Sequence, residues 1–163
     1  MFLNADEISK ELTNDTSRAG NIAAGKEYFN QIEKLKSKNK NIILESTLSG
    51  MFLKRLIQEF KKGKYTVKII FVTLNSPFQC IERIQHRVRF GGHHVADIDV
   101  KRRFKRGRWN FWNIYKNMAE DWRLINNTES GFELVAVGEK NKAAITNNNF
   151  YEIFIKENEK LNF

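Results

Sequence analysis

The stretch IILESTLSGMFLKRLIQEFKKGKYTVKIIFVT, residues 42–73, decides which fold to expect. Ile42–Ile43–Leu44 is a compact apolar run, the pattern of a buried strand, and it ends in Glu45–Ser46–Thr47. A helix predicted from Gly50 to Lys62 carries Phe52, Leu53, Leu56, Ile57 and Phe60 at helical spacing, and Gly63 stops it. Val67 to Val72 reads as the next strand. Two strands joined by a helix of this length imply parallel pairing through a right-handed crossover. In sheets of that kind, ligands bind beyond the carboxyl ends of the strands. Glu45 and Thr47 therefore become candidate site residues.

The same alternation extends outward. Met1–Phe2–Leu3 reads as a short strand leading into a helix that Asn4 or Asp6 can cap. An amphipathic helix follows from Arg18 to Lys36. Asn75–Ser76–Pro77 opens a third helix, with proline in its first turn. Phe111, Ile114, Tyr115 and Met118 continue a helix to about Glu120. Short strands at Trp122–Ile125 and Phe132–Val137 and a helix from Asn149 to about Leu161 close the chain. The expectation is one α/β domain over residues 1–163, a layered parallel sheet flanked by helices.

Charge gives the second signal. The 163 residues carry a net charge of +9, with 41% hydrophobic and 29% charged residues. Such a balance attracts polyanions and phosphate esters but does not bear on fold. The cations concentrate between Arg83 and Arg108: Arg83, Arg87, Arg89, Lys101, Arg102, Arg103, Lys105, Arg106 and Arg108, flanking Gly91–Gly92 and His93–His94. Arginine offers a planar fork that fits phosphate oxygens. The segment is expected to close as a lid over the strand ends. Its plainer reading is a solvated basic helical face. Cys80 is the single cysteine, which fits a reducing cytoplasm, and no apolar run is long enough to cross a bilayer.

Taken together, FLNADEI, ILESTLSG, LNSP, RVRFGGHHV and VKRRFKRGRWNF, in this order, resemble the zeta-toxin family of P-loop kinases over nearly the whole chain to about Gly138. The resemblance implies a nucleoside-kinase-like α/β fold, ATP and Mg²⁺ as cofactors, and phosphoryl transfer to a hydroxyl of a small molecule, with UDP-N-acetylglucosamine as the best-known acceptor. It places Asp6 as the base that takes the acceptor proton. Glu45 and Thr47 would line the substrate site, and Arg87 and Arg103 would stabilise the transferring phosphoryl group. Arg102 and His93 would lie beside the phosphates. It also leaves room for an antitoxin protein as partner. Ala96 departs from the family's usual proline.

A kinase of this type also needs a strand, G-x-x-x-x-G-K-[ST] and a helix ahead of the Asp6 motif. Nothing precedes Met1 in this sequence, so the expectation is a chain truncated at its N-terminus by on the order of 20–30 residues, and inactive without them. Gly20–Lys26, GNIAAGK, matches the pattern up to Glu27, where serine or threonine is required. A carboxylate there repels phosphate, and Ile22, Phe29 and Ile32 make the segment read as helix.

Each candidate also has a structural alternative. Asp6 alone is a helix cap, Glu45 an ion-pair partner, and Thr47 the N-cap of the following helix. His93–His94 lacks a third ligand, so no metal site is expected. Arg89, Lys101, Lys105 and Arg108 read as basic surface. Trp109, Phe111, Trp112 and Tyr115 interleave with cations, which raises a rival reading, a non-enzymatic nucleic-acid-binding domain. Their spacing suits helix packing better, so nucleic acid is not the expected partner.

Overall fold

The computed structural model describes residues 1–3, 18–139 and 142–161, with only the backbone described at 18–22 and 24. Asp6 lies outside the described residues. The chain forms two compact units, residues 1–46 and 47–163.

In the first unit, β1 (Phe2–Leu3) and β2 (Ile43–Leu44) pair in parallel, with Phe2 opposite Ile43 and Leu3 opposite Leu44. The expected neighbouring parallel strands are thus present. The expected burial of the second strand is not, because Ile43 is 61% exposed. Helix α1 (Arg18–Ser37) buries Tyr28 and Ile32, one turn apart. All of Gly20–Lys26 lies inside α1. Its amides point along a helix axis instead of lining a loop, so the phosphate-loop lookalike is helix.

The second unit begins with α2 (Phe52–Lys62), β3 (Lys68–Thr73), α3 (Pro77–Arg89) and α4 (Asp97–Asn110). Ser76 caps α3 by accepting a hydrogen bond from the Gln79 amide, and Pro77 takes the first turn. A π-helical turn at Phe111–Tyr115 and a 3₁₀ turn at Lys116–Met118 extend α4. Then come β4 (Asp121–Thr128), β5 (Gly131–Glu139), β6 (Lys142–Ile145) and α5 (Asn148–Glu159).

The four strands lie in the order β3-β4-β5-β6. Only β3 and β4 pair in parallel; β4–β5 and β5–β6 are antiparallel. The layered parallel sheet expected from the sequence is therefore corrected to a mixed α/β arrangement. The physical reason is loop length. Glu129 and Ser130 alone separate β4 from β5, and two residues close a hairpin but cannot carry a crossover.

One face of this sheet holds the core. Phe71, Trp122, Leu124, Val135 and Ala136 meet Phe111, Tyr115, Phe150 and Phe154. The Phe71 and Phe111 rings stack at 4.5 Å, and Trp112 sets its edge against Trp122, Tyr151 and Phe154. The aromatics of 111–115 are thus packing residues, as their helical spacing suggests.

Three helices end alike. Asn39, Lys64 and Gly91 adopt left-handed backbone just past α1, α2 and α3. Each is followed by an amide that bonds back across the last turn: Lys40 to Leu35 O, Tyr65 to Phe60 O and Gly92 to Arg87 O. This is the Schellman closure. After α2 the left-handed residue is Lys64, not the Gly63 that the sequence singles out.

Candidate functional site

Thr47–Gly50 enters α2 as a loop held from several sides. Thr47 does not cap the helix; Met51 occupies that position without a side-chain cap. Instead the Thr47 hydroxyl shares a 2.9 Å hydrogen bond with Ser49. Leu48 has φ +54°, a left-handed backbone that costs a non-glycine residue about 1–2 kcal/mol. Its buried side chain joins the hydrophobic core. The Asn110 amide donates to Leu48 O at 2.7 Å, and the Tyr115 hydroxyl donates to Gly50 O at 2.6 Å. Burial pushes the Tyr115 phenol up in pKa, which keeps it a donor. Gly107 lies so close to the loop that a Cβ there would stand 2.5 Å from Thr47 O.

Arg103, Gly107 and Asn110 fall at i, i+4 and i+7 of α4 and share a face. Since Gly107 and Asn110 both meet the Thr47–Leu48 backbone, that face brings Arg103 one turn N-terminal of the same loop. Thr47 and Arg103 are thereby placed on facing elements, and Arg103 is exposed.

The rest of the basic stretch is arranged differently. Gly91, at φ +79°, and Gly92 close the Schellman turn of α3. The Arg87 guanidinium donates to His93 O at 2.9 Å, so Arg87 and His93 meet through the turn's backbone. Arg102 pairs with Asp99 at 2.7 Å on its own helix. Arg83 reaches across to Asn127 O at 3.2 Å.

Arg108 is not the basic surface residue expected from the sequence. It is only 2% exposed, lies over the Phe104 and Phe154 rings, and bonds Glu157 at 2.7 Å. Burial lowers its pKa, against the Glu157 carboxylate, which raises it.

Glu45 belongs to the first unit and is exposed. The Tyr28 phenol is raised in pKa by burial and then by the Glu45 carboxylate, which puts the two groups within electrostatic reach. Among the described residues no three His, Cys, Asp or Glu side chains gather as a metal-ligand set. None of them reproduces the amide cradle and lysine of a phosphate loop either. No described helix is long and apolar enough to cross a membrane.

A polar cleft of about 620 Å³ opens at the carboxyl ends of β3 and β4, between Asn75, Gln79, Arg83, Asn127 and Thr128. This edge is where α/β sheets take ligands. Sequence reasoning missed Gly107 and Asn110, and it read Tyr115 as a packing residue without its hydroxyl's bond to Gly50 O. The one available signal was Gly107 itself: a glycine inside a helix gives up about 1 kcal/mol and usually has a packing reason.

No protein-family model matches the chain. A Haemophilus influenzae (strain ATCC 51907 / DSM 11121 / KW20 / Rd) protein, described as "Uncharacterized protein", is 26% identical over 104 residues, covering 64% of this chain and 74% of its own length. Two crystal structures share the fold. The AvrRxo1-ORF1:-ORF2 structure with ATP aligns at TM-score 0.70 with 16% identity over 92% of this chain. The AvrRxo1-ORF1:AvrRxo1-ORF2 structure with sulphate ions aligns at TM-score 0.68 with 15% identity over the same share. In each case the match spans 50% of the solved chain, so this chain covers half the length of those proteins. At such identities the likeness is one of fold: a mixed α/β domain close to that of the AvrRxo1 complexes.

Proposed function

We propose that this chain is a zeta-toxin-like P-loop kinase domain, a toxin-type domain that positions a small-molecule hydroxyl for phosphoryl transfer from ATP. The carrying observation is the rigid Thr47–Gly50 loop, set against the α4 face that presents Arg103. A hydroxyl-bearing loop opposite an exposed guanidinium is suited to an acceptor whose phosphoryl group gathers negative charge. In this reading the acceptor oxygen bonds the γ-phosphorus as the bond to ADP breaks, and Asp6 takes the acceptor proton. Glu45 and Thr47 orient the acceptor; Arg87 and Arg103 neutralise the equatorial oxygens; Arg102 and His93 lie beside the phosphates. Support also comes from the fold neighbour solved with ATP and a partner protein, which fits a nucleotide ligand and an antitoxin-like partner here too. UDP-N-acetylglucosamine is the first acceptor to try, and a cytoplasmic location accompanies the reading. Positioning and charge, not covalent chemistry, would supply the rate.

The 163-residue chain, titrated with UDP-N-acetylglucosamine and ATP and followed by phosphorus NMR, tests this. Acceptor binding should weaken about tenfold or more in Thr47→Ala and in Arg103→Ala. The chain alone should transfer no phosphate. Turnover by this chain that Lys26→Ala abolishes would overturn the helical reading of residues 20–26. Tight RNA binding with a steep salt dependence, and no nucleotide-sugar binding, would favour the nucleic-acid alternative instead.

A further inference from the structure

Helix α4 has two faces of different character. Gly107 and Asn110 meet the Thr47–Leu48 backbone, and Arg103 shares their side of the helix. Ile98, Lys101 and Lys105, at i, i+3 and i+7, form a second stripe. At the helical step this stripe lies roughly opposite Arg103, about 160° around the axis. All three stripe residues are exposed, whereas Val100, within the same turns, is buried.

The apolar member of the stripe has no packing role. Ile98 is 77% exposed, and among the described large hydrophobics only Phe90 is more so. Phe78, in the first turn of α3, is 64% exposed. The Lys101 ammonium lies 5.2 Å from the centre of the Phe78 ring, which sets that ring beside the stripe. Lys101 and Lys105 have no carboxylate partner among the described residues. Asp99 of the same helix is taken by Arg102 at 2.7 Å. Two exposed apolar side chains and two unneutralised ammonium groups therefore share one surface.

We propose that this stripe, with Phe78, is a docking surface for an acidic protein segment. Phe78 and Ile98 offer such a segment a place to bury an apolar side chain. Lys101 and Lys105, one turn apart, suit carboxylates one turn apart on a partner helix. Charge decides the class of partner: a chain of net charge +9 repels its own copies and attracts acidic proteins. Nucleic acid is a poorer fit. Ile98 gains nothing from a phosphate, and the Lys101 ammonium covers a face of the Phe78 ring on which a base would stack. A bilayer is poorer still. A membrane-surface helix segregates apolar and charged residues onto opposite faces, whereas here they share one. The surface is separate from the acceptor face, and the proposal does not rest on phosphoryl transfer.

The probe is a fluorescein-labelled synthetic helical peptide with glutamates one turn apart and leucines beside them, titrated with the full chain and followed by anisotropy. Binding should saturate. Lys101→Glu combined with Lys105→Glu should weaken it about tenfold or more. Ile98→Ser should weaken it too, while Lys62→Glu, a charge reversal on α2, should not. A peptide with lysine in place of glutamate should recover binding to the doubly reversed chain. In the unmodified chain the acidic peptide should move the amide resonances of Phe78 and of residues 98–105 and leave those of residues 47–50 in place. Absence of saturable binding, an equal loss in Lys62→Glu, or shifts centred on residues 47–50 would overturn the proposal. So would tighter binding of oligouridylate or of phosphatidylglycerol vesicles than of the peptide. Should a variant fail to fold, the resonance map of the unmodified chain still decides it.

Discussion

Two turns border the ends of α4, and they are built by opposite means. The turn before it, from Arg87 to His93, holds the charge and the paired glycines that stand out in the sequence, yet its structure is local. Gly91 supplies the left-handed residue, Gly92 closes the hydrogen-bond ring, and Arg87 bonds a carbonyl six residues away. The loop against its other end, Thr47–Gly50, has an ordinary sequence but is held by residues about 60 positions later in the chain. A left-handed leucine survives there because core packing and two side-chain hydrogen bonds outweigh its strain. The turn rich in cations is thus a helix cap that displays charge on the surface. The loop poor in signal is the one placed to a fixed geometry, as a binding element requires.

The sharpest way to break this contrast is Gly107→Val. A branched side chain where a Cβ already falls 2.5 Å from Thr47 O must displace the loop or the helix. Chemical denaturation should show a loss near the upper end of overpacking effects, about 3 kcal/mol. Amide resonances of residues 47–50 should move with it. A near-neutral result would mean that the loop is free to shift and is not fixed by α4.

Asn110→Ala should have the next largest effect, about 2 kcal/mol, because it removes a buried hydrogen bond to the Leu48 carbonyl and leaves a cavity. Hydrogen exchange at Leu48 through Gly50 should speed up well beyond the change in global stability. Uniform acceleration across the domain would reduce Asn110 to a general core residue.

Gly91→Ala should have the smallest effect, about 1 kcal/mol, the penalty for a side chain in left-handed backbone. Residues 47–50 should keep their resonances, since the turn is local. A loss larger than that of Asn110→Ala would reverse the contrast.

The sequence indicated much of the fold wherever the relevant forces act between near neighbours. Helical spacing in 52–60, the Ser76–Pro77 start of α3 and the apolar run of β3 each name a local cause, and each element is present. The helical character of residues 20–26 was legible for the same reason. The strand at Lys142–Ile145 was not, because Lys-Ala-Ala-Ile has no alternation and is exposed throughout. Ile43 showed the converse: a compact apolar run says nothing about what will cover it.

In the candidate site the division is similar. Thr47 and Arg103 could be named from motif order, but the face they share with Gly107 and Asn110 could not. What the sequence determined by itself is the set of elements and their caps, the excess of positive charge and the residues able to meet a phosphate, because these follow from composition and short-range spacing. Tertiary structure alone decided which arginine of the run would be buried, which strands would run antiparallel and which loop would be held in place. Arg102, Arg103, Arg106 and Arg108 are chemically identical side chains within seven residues. Only the 100° step of a helix packed against Phe154 and Glu157 makes one of them part of the core while Arg102 and Arg103 stay at the surface.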